Sequence, residues 1–182
     1  MAKRGTRPIV ADVGELDQWK HCPRCGAEVE PGKGMVECGT CGFRVYASSK
    51  PTACAVCLDR DGRVLLSRRG FDPFAGKWDL PGGFVEEEEH PRDCVRRELR
   101  EEAGVEIELL ELLGVWMDRY GGDGSAAVTL NFHWTARIVE GVPEPHDDVA
   151  EFRWFAPSEI WDDDLAFPHM REVLAVLRQK HS

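Results

Sequence analysis

The chain has 182 residues, 42% of them hydrophobic, which suits one ordinary domain or one domain with a small added module. Its 33 acidic and 23 basic residues give a net charge of −10, which argues against a duplex nucleic-acid binder and its basic footprint. We expect no membrane contact, because no apolar run approaches spanning length and no signal-peptide core begins the chain. Seven cysteines, an odd number, suit a reducing cytoplasm better than a disulfide scaffold.

Three segments differ in their patterns. Residues 1–19 lack a clear apolar period, and we interpret them as a flexible tail with one short turn near Trp19. Residues 20–47 hold four of the cysteines. Residues 48–182 alternate between strand and helix patterns and are predicted to form the larger domain.

The cysteine segment contains two Cys-x-x-Cys-Gly motifs with the thiols of Cys22, Cys25, Cys38 and Cys41, and twelve residues lie between the two cysteine pairs. The glycine after each pair permits the left-handed backbone of a tight turn, so two turns can direct four thiolates at one centre. Four thiolates favour Zn²⁺, with iron as the chemical alternative. Because no coordination position stays open and few apolar residues lie between the pairs, we predict a small zinc ribbon folded by a structural metal.

The larger domain shows a series of strand patterns. They cover residues 52–58, 63–69, 77–80, 106–117, 127–139 and 151–155. A terminal amphipathic helix is predicted over residues 169–179. Cys54 and Cys57 lie three apart in a strand and point to opposite faces, so we interpret them, like Cys94, as small core residues. His133, inside the strand over residues 127–139, is interpreted as a core histidine with its hydrogen bonds satisfied.

A helix is predicted over residues 91–103, with Pro91 in its first turn and Gly104 closing it in a left-handed conformation. Its apolar residues recur at i, i+4 and i+8 and form a buried stripe of Val95, Leu99 and Ala103.

The same helix carries a group of acids. Glu98 and Glu102 lie one turn apart beside the apolar stripe, with Glu101 on their other side. Like charges at this spacing repel, and a cation between them removes the conflict. Carboxylate oxygens suit Mg²⁺ or Mn²⁺. The alternative interpretation is a solvated acidic helix face, the usual fate of a charge run.

The helix lies within a longer pattern, Gly83-x5-Glu89-x7-Arg97-Glu98-Leu99-x-Glu101-Glu102-x-Gly104-Val105. This pattern matches every specified position of the Nudix box, and Leu80-Pro81-Gly82-Gly83 resembles the usual lead-in of that family. The resemblance implies an α/β fold, an α/β/α sandwich with a mixed sheet, here preceded by the zinc ribbon. It also implies an enzyme that hydrolyses the pyrophosphate of a nucleoside diphosphate linked to another moiety.

Site roles follow from the resemblance. It implies that Glu98 and Glu102 bind Mg²⁺ directly, while Glu101 holds a metal or its water and is a candidate base. Arg97 pairs with a box glutamate and orients it. The Gly82 carbonyl is a further candidate ligand, and Gly82 with Gly83 lets the backbone approach metal and phosphate.

Further candidate contacts rest on sequence signals that are less specific than the motif. The family often adds an acid from a downstream loop, and we favour Asp148 among Glu144, Asp147, Asp148 and Glu151. Aromatic residues can hold the base: Phe71, Phe74, Trp78, Trp116, Tyr120 and Trp134. Among possible substrate contacts we favour Tyr120 and Asp118 beside the glycine-rich loop, with Arg68 and Arg69 able to reach phosphate.

Zinc ribbons precede Nudix domains in NADH pyrophosphatases and in a group resembling ADP-ribose and FAD pyrophosphatases. The NADH group carries a Ser-Gln-Pro-Trp-Pro-Phe-Pro run that residues 114–122 lack, whereas residues 161–168 resemble the Leu-Ala-Phe segment of the second group. We therefore expect a small nucleotide substrate such as ADP-ribose or FAD. NADH, oxidised nucleoside triphosphates and sugar or prenyl diphosphates stay open.

A different class of function is a catalytically silent domain that senses a ligand, or a zinc ribbon that serves as an interaction module. The acidic composition and the intact box glutamates favour the enzyme. Many members of this group are homodimers, so the resemblance leaves a homodimer open.

Overall fold

A computed structural model describes residues 14–121 and 127–180. Its contacts divide the chain into two compact units, one of residues 1–49 with 121–127 and one of residues 50–120 with 128–182. Most of the predicted tail, residues 1–13, lies outside the described residues. Residues 15–18 form a turn in which Leu16 is buried, so the described end of that segment has a defined conformation.

The smaller unit contains two short strands, β1 (Met35–Glu37) and β2 (Arg44–Tyr46), which pair antiparallel with Met35 opposite Tyr46. Val36 between them is buried. So small a sheet offers little core, which agrees with the expectation that this segment needs another source of stability.

Among the described residues, the larger unit contains seven strands and two α-helices. The strands are β3 (Lys50–Cys57), β4 (Val64–Arg69), β5 (Trp78–Asp79), β6 (Gly82–Phe84), β7 (Glu106–Tyr120), β8 (Ala127–Glu140) and β9 (Val149–Phe155). The helices are α1 (Pro91–Ala103) and α2 (Met170–Lys180), and a short 3-10 helix covers Asp162–Asp164. Neither α-helix has the length and apolar character needed to cross a membrane.

Two sheets form the centre of this unit. One has the order β6-β3-β8-β7, with β3 parallel to β8 and antiparallel to β6, so the predicted mixed sheet is confirmed. The other is antiparallel with the order β5-β4-β9.

The two helices pack against opposite faces. Along β3, Ala53, Ala55 and Cys57 belong to the buried cluster that includes Val95 and Leu99 of α1. The intervening residue Val56 belongs to a second cluster, which includes three residues of α2: Met170, Val173 and Leu174. Because successive strand residues face opposite sides of a sheet, the sheets lie between the helices. The predicted α/β/α sandwich is therefore confirmed.

Several boundaries differ from the sequence prediction. Strand β7 continues to Tyr120, so the predicted glycine-rich loop begins later, and its residues 122–126 lie outside the described residues. Gly82–Phe84, expected only as a lead-in, pairs with β3.

The polar face of β8 is buried. Its alternating residues Thr129, Asn131 and His133 are only 1–5% exposed. Their hydrogen bonds to neighbouring polar groups offset the cost of that burial.

Candidate active site

Local rules place helix α1 where the sequence predicted it. The ring of His90 accepts a hydrogen bond from the Arg92 backbone N–H at 3.2 Å, and Pro91 follows in the first turn. At the other end Gly104 has a φ of 66° and donates its N–H to Arg100. Burial of the apolar stripe fixes the rotation of the helix, so Glu98 and Glu102 line a cleft, whereas Glu101 lies outside its lining.

Strand β6 approaches α1 closely because two of its residues are glycines. The Gly82 N–H donates to Glu102 Oε2 at 3.1 Å. Gly82 has a φ of 142°, and a Cβ there would collide with the Ala53 carbonyl oxygen. A Cβ on Gly83 would collide with the carboxylate of Glu98. Both glycines line the cleft.

Glu102 is a buried acid, only 8% exposed. Burial, and after it the carboxylates of Glu98 and Asp148, raises the pKa of Glu102 well above its usual range, although the Gly82 N–H lowers it. Burial also raises the pKa of Glu98, against the opposing effect of Arg97. The floor of the cleft therefore concentrates carboxylates whose ionised forms are poorly stabilised by the protein itself.

Arg97 connects the other acids of the motif. Its Nε and NH2 contact both carboxylate oxygens of Glu89 at 2.9 and 3.0 Å. Its NH1 contacts Glu98 at 2.8 Å and Glu101 at 2.9 Å. The hydrogen bonds from Arg97 lower the pKa of Glu89 to about 2. The sequence predicted that Arg97 pairs with one glutamate of the motif, and in the structure it contacts three: Glu89, Glu98 and Glu101.

The acidic loop before β9 is tied to the end of α1. The Glu144 N–H donates to the Ala103 carbonyl at 3.1 Å, and the His146 N–H donates to the Glu102 carbonyl at 2.8 Å. These bonds bring Asp147 and the favoured Asp148 to the cleft lining. The structure leaves the other two candidate acids off that lining, and Glu151 pairs instead with Arg68 and Arg153.

The far wall of the cleft, which encloses about 380 Å³, is aromatic and cationic. Arg69 contacts Asp79 at 3.0 Å and the Tyr120 hydroxyl at 3.2 Å. The Tyr120 ring stacks on Phe167 with centroids 5.7 Å apart. The sequence predicted Tyr120 as a substrate contact and Arg69 as a residue able to reach phosphate. The prediction missed Phe167 and Asp79, which no motif marks because they meet only in the tertiary fold.

Other predicted substrate contacts lie elsewhere. The Arg68 guanidinium contacts the Gly76 carbonyl at 3.1 Å and does not line the cleft. Asp118 directs its carboxylate to His169, at 2.7 Å from the ring Nδ1, and also lies outside the lining. Among the aromatic candidates only Tyr120 lines the cleft. Phe71 is 67% exposed, while Trp134 is buried in the core beside α1.

The donor set fits a divalent cation. Glu102 makes no ion pair with any described basic side chain, although Glu98 and Asp148 lie close enough to shift its pKa. Carboxylate oxygens around one buried site are the ligands that Mg²⁺ and Mn²⁺ prefer, and a cation would relieve the repulsion. These acids do not converge as tightly as the thiols described next, since Arg97 draws Glu98 and Glu101 toward itself.

In the smaller unit, the ligand atoms of Cys22, Cys25, Cys38 and Cys41 all lie within 4.8 Å of one another. Within the described parts of the chain this is the one group of at least three potential ligands that converges so closely. Gly26 and Gly42 follow the two pairs with φ values of 74° and 70°, as the motifs predicted. The Cys41 N–H lowers the pKa of Cys38 to about 6. The cluster fits a small zinc ribbon.

Comparisons with known proteins identify the family of this chain. The family model described as the NUDIX domain matches residues 48–177. An ADP-ribose pyrophosphatase of Methanocaldococcus jannaschii is 30% identical over 124 residues, 68% of this chain and 71% of that protein. A NAD-capped RNA hydrolase NudC of Pseudomonas aeruginosa is 32% identical over 75% of this chain, which spans only 48% of that longer relative.

A solved structure is similar over nearly the whole chain. The crystal structure of a NUDIX hydrolase from Nitrosomonas europaea superposes with a TM-score of 0.73 at 28% identity, covering 90% of this chain and 93% of that one. Fold and motif together define a hydrolase of the α/β structural class with an acidic helix, α1, beside the cleft. This chain belongs to the NUDIX family.

Proposed function

We propose that this protein hydrolyses the pyrophosphate bond of a nucleoside diphosphate linked to another moiety, with an ADP-ribose-like compound or a dinucleotide such as FAD as substrate. One observation carries the proposal: Glu102 is buried at the cleft floor beside Glu98 and Asp148, without a described cationic partner. The name of the Methanocaldococcus relative supports ADP-ribose among the candidates.

The proposed roles follow from the positions of the acids. Glu98, Glu101, Glu102 and the Gly82 carbonyl hold Mg²⁺ or Mn²⁺. When bound, such an ion neutralises phosphate oxygens and makes water a better nucleophile. Arg97 fixes the rotamers of Glu89, Glu98 and Glu101, a positioning task supported by its five N–H donors.

Proton removal from the attacking water falls to an acid near the cleft floor. Asp148 is our first candidate, because the loop that carries it is bonded to the end of α1. Glu101 is the alternative, since its side chain is half exposed and water can reach it. Gly82 and Gly83 admit the diphosphate by keeping the backbone free of side chains.

The far wall supplies the proposed substrate contacts. Tyr120 offers an aromatic surface in the cleft, and Arg69 offers a guanidinium. Arg68 and Asp118 stay weaker candidates, because their side chains make other contacts.

A second candidate substrate is the NAD cap of an RNA, which the name of the Pseudomonas relative favours. The net charge of −10 works against an extended RNA contact and supports a small nucleotide. A capped RNA also predicts strong salt dependence, which distinguishes the two substrates.

We further propose that the four thiols hold a structural Zn²⁺, that the protein acts in a reducing cytoplasm and that it forms a homodimer. Seven free cysteines support the compartment. The edge strand β7 exposes Leu110, Leu112 and Met117, which supports a partner for that surface.

The test is hydrolysis of ADP-ribose, FAD, NADH, a nucleotide sugar, an oxidised nucleoside triphosphate and NAD-capped RNA, with and without Mg²⁺. We expect Mg²⁺-dependent release of a nucleoside monophosphate and a fall of at least about 100-fold for Glu102→Gln. Glu172→Gln, on the exposed side of α2, is the matched control and should keep full activity. Absence of turnover across the panel would favour the sensor function instead.

A further inference from the structure

The arginines of the cleft are already paired with acids of the protein. Within the described residues, two arginines and no lysine line the cleft, Arg69 and Arg97. Arg97 contacts three carboxylates, and Arg69 contacts Asp79 at 3.0 Å. Residues 122–126, which lie outside the described residues, contain no lysine or arginine that would add to this set. Both cationic groups of the lining are therefore offset before a ligand arrives.

The pair of Arg69 and Asp79 is held from several sides. Arg69 Nε donates to the Pro73 carbonyl at 2.8 Å, and its NH2 group donates to the Tyr120 hydroxyl at 3.2 Å. Asp79 Oδ1 accepts the Leu80 backbone N–H at 2.8 Å, while Oδ2 faces Arg69. The two side chains are only 14% and 16% exposed, and Arg69 opposes the rise that burial causes in the pKa of Asp79. Because these contacts fix both side chains, the pair stays together and its two charges cancel.

Other polar side chains of the cleft are uncharged and engaged with one another. Thr52 Oγ1 donates to Asn131 Oδ1 at 2.6 Å, and Asn131 Nδ2 donates to Thr129 Oγ1 at 3.0 Å. All three residues line the cleft and are at most 7% exposed. Hydroxyl and amide groups suit sugar hydroxyls and bases, but they bind a phosphate more weakly than a cation does. These residues therefore add no counter-charge for a phosphate.

The remaining charges of the lining are negative. Within the described part of the chain, the carboxylates that line the cleft are Asp79, Glu86, Glu98, Glu102, Asp147 and Asp148. The divalent cation that the acids of α1 are proposed to hold offsets the diphosphate of the substrate. A third phosphate meets paired arginines and an excess of carboxylates, so its charge has no counterpart in the described protein.

We propose that Asp79 is a specificity-determining residue, which by neutralising Arg69 restricts the cleft to substrates without phosphates beyond the cleaved diphosphate. This inference rests on the proposed pyrophosphohydrolase function and narrows its substrate class. ADP-ribose, FAD, NADH and nucleotide sugars carry only the two bridging phosphates. Nucleoside triphosphates, 2′-phosphorylated dinucleotides and NAD-capped RNA carry more, and we expect them to be poor substrates.

The first test measures the binding of ligands that differ only in one phosphate: ADP-ribose, ADP-ribose 2′-phosphate and ADP-ribose 1″-phosphate. The added phosphate lies on the nucleoside in one ligand and on the terminal ribose in the other, so the test does not depend on which end meets Arg69. Isothermal titration calorimetry of the full chain, with Ca²⁺ in place of Mg²⁺, gives each Kd. Analysis of the ligands afterwards shows whether they stayed intact.

We expect the wild type to bind at least one of the two phosphorylated ligands at least about 10-fold more weakly than ADP-ribose. An equal Kd for all three ligands overturns the inference and leaves the proposed function standing. Absence both of binding and of Mg²⁺-dependent turnover for all three overturns the proposed function, and the inference with it.

The second test changes the charge of the pair. Asp79→Asn keeps the size of the side chain but removes its charge, which leaves the charge of Arg69 available to a phosphate. For the ligand that the wild type binds weakly, we expect its Kd relative to that of ADP-ribose to fall at least about threefold. Arg69→Gln leaves Asp79 without its cation and should raise the same Kd ratio at least about threefold. Asp61→Asn, at an exposed acid outside the cleft lining, should keep the wild-type ratio.

A combined variant separates charge from shape. Asp79→Asn together with Arg69→Gln is neutral, like the wild-type pair, and should return the Kd ratio to the wild-type value. A low ratio in this combined variant means that space and not charge admits the phosphate, which overturns the inference. A wild-type ratio in folded Asp79→Asn does the same. If circular dichroism shows Asp79→Asn to be unfolded, the ratio of Arg69→Gln decides, and a wild-type value there overturns the role of Asp79.

Discussion

The guanidinium of Arg97 contacts both carboxylate oxygens of Glu89, with Nε 2.9 Å from Oε1 and NH2 3.0 Å from Oε2. This two-bond contact joins the loop before α1 to the helix itself, and the remaining donor group reaches Glu98 and Glu101. One side chain therefore controls the rotamers of three acids in the site.

Arg97→Lys should reduce kcat by roughly 10-fold to 100-fold and raise the Mg²⁺ concentration needed for half activity. A lysine keeps the charge but cannot contact Glu89, Glu98 and Glu101 together, so the acids lose their fixed orientation. Steady-state kinetics with varied Mg²⁺ measures both effects. Arg96→Lys, one residue earlier on α1, is the control and should change neither. A normal Mg²⁺ requirement in Arg97→Lys would show that the network does not position the acids.

Gly83→Ala should lower activity at least about 10-fold while the fold persists, because the new Cβ collides with the carboxylate of Glu98 and displaces it. Gly83 needs no left-handed backbone, so the methyl group adds no backbone strain. Activity and thermal unfolding together separate the two effects. Gly39→Ala, where a Cβ meets nothing within 4 Å, should be neutral in both.

Gly82→Ala should instead unfold the protein at a lower temperature. Gly82 has a φ of 142°, and the added Cβ meets the backbone of Ala53 and Cys54, which cannot move independently of β3. Circular dichroism during heating measures the loss. If Gly82→Ala and Gly83→Ala have the same melting temperature, backbone strain at Gly82 is not the deciding factor.

In the presence of a metal chelator, the protein should lose thermal stability as the pH rises from about 5 to 8. Burial and neighbouring carboxylates raise the pKa of Glu102 above its ordinary value of 4.5. The folded state therefore holds this proton more tightly than the unfolded state, and the stability it contributes is lost as the pH rises through the raised value.

Mg²⁺ should restore the lost stability most strongly at pH 8, where Glu102 must be ionised to bind it. Melting temperatures measured against pH, with chelator or with Mg²⁺, test both statements. The Glu102→Gln protein should show a flatter profile with chelator and a smaller gain from Mg²⁺. An equal Mg²⁺ effect in both proteins would mean that the ion binds elsewhere.

Metal analysis of the purified protein should find one tightly held Zn²⁺ per chain. Cys41→Ser should lose it, because one of the four converging thiols is replaced by a weaker ligand. Cys57→Ala, a buried cysteine of the larger unit, is the matched control and should retain the metal. Retention of Zn²⁺ by Cys41→Ser would place the ion at another site.

Local patterns in the sequence were enough to predict α1, the order of the main strands, the two thiol turns and the acids of the motif. Helix caps, strand alternation and Cys-x-x-Cys-Gly spacing act over a few residues, so the chain itself contains the information. The buried polar face of β8 was not predictable in this way. Its alternation shows two faces, and only the packing of neighbouring strands decides which one is buried.

By itself the sequence determined the NUDIX motif, the acidic helix and the thiol cluster, because each is a short segment with its own stereochemistry. Only the tertiary structure decided that Arg69 lines the cleft while Arg68 does not, since adjacent strand residues point to opposite faces. It alone brought Asp118, His133 and His169 into one chain, because these residues are far apart in sequence and meet where β7, β8 and the start of α2 pack together.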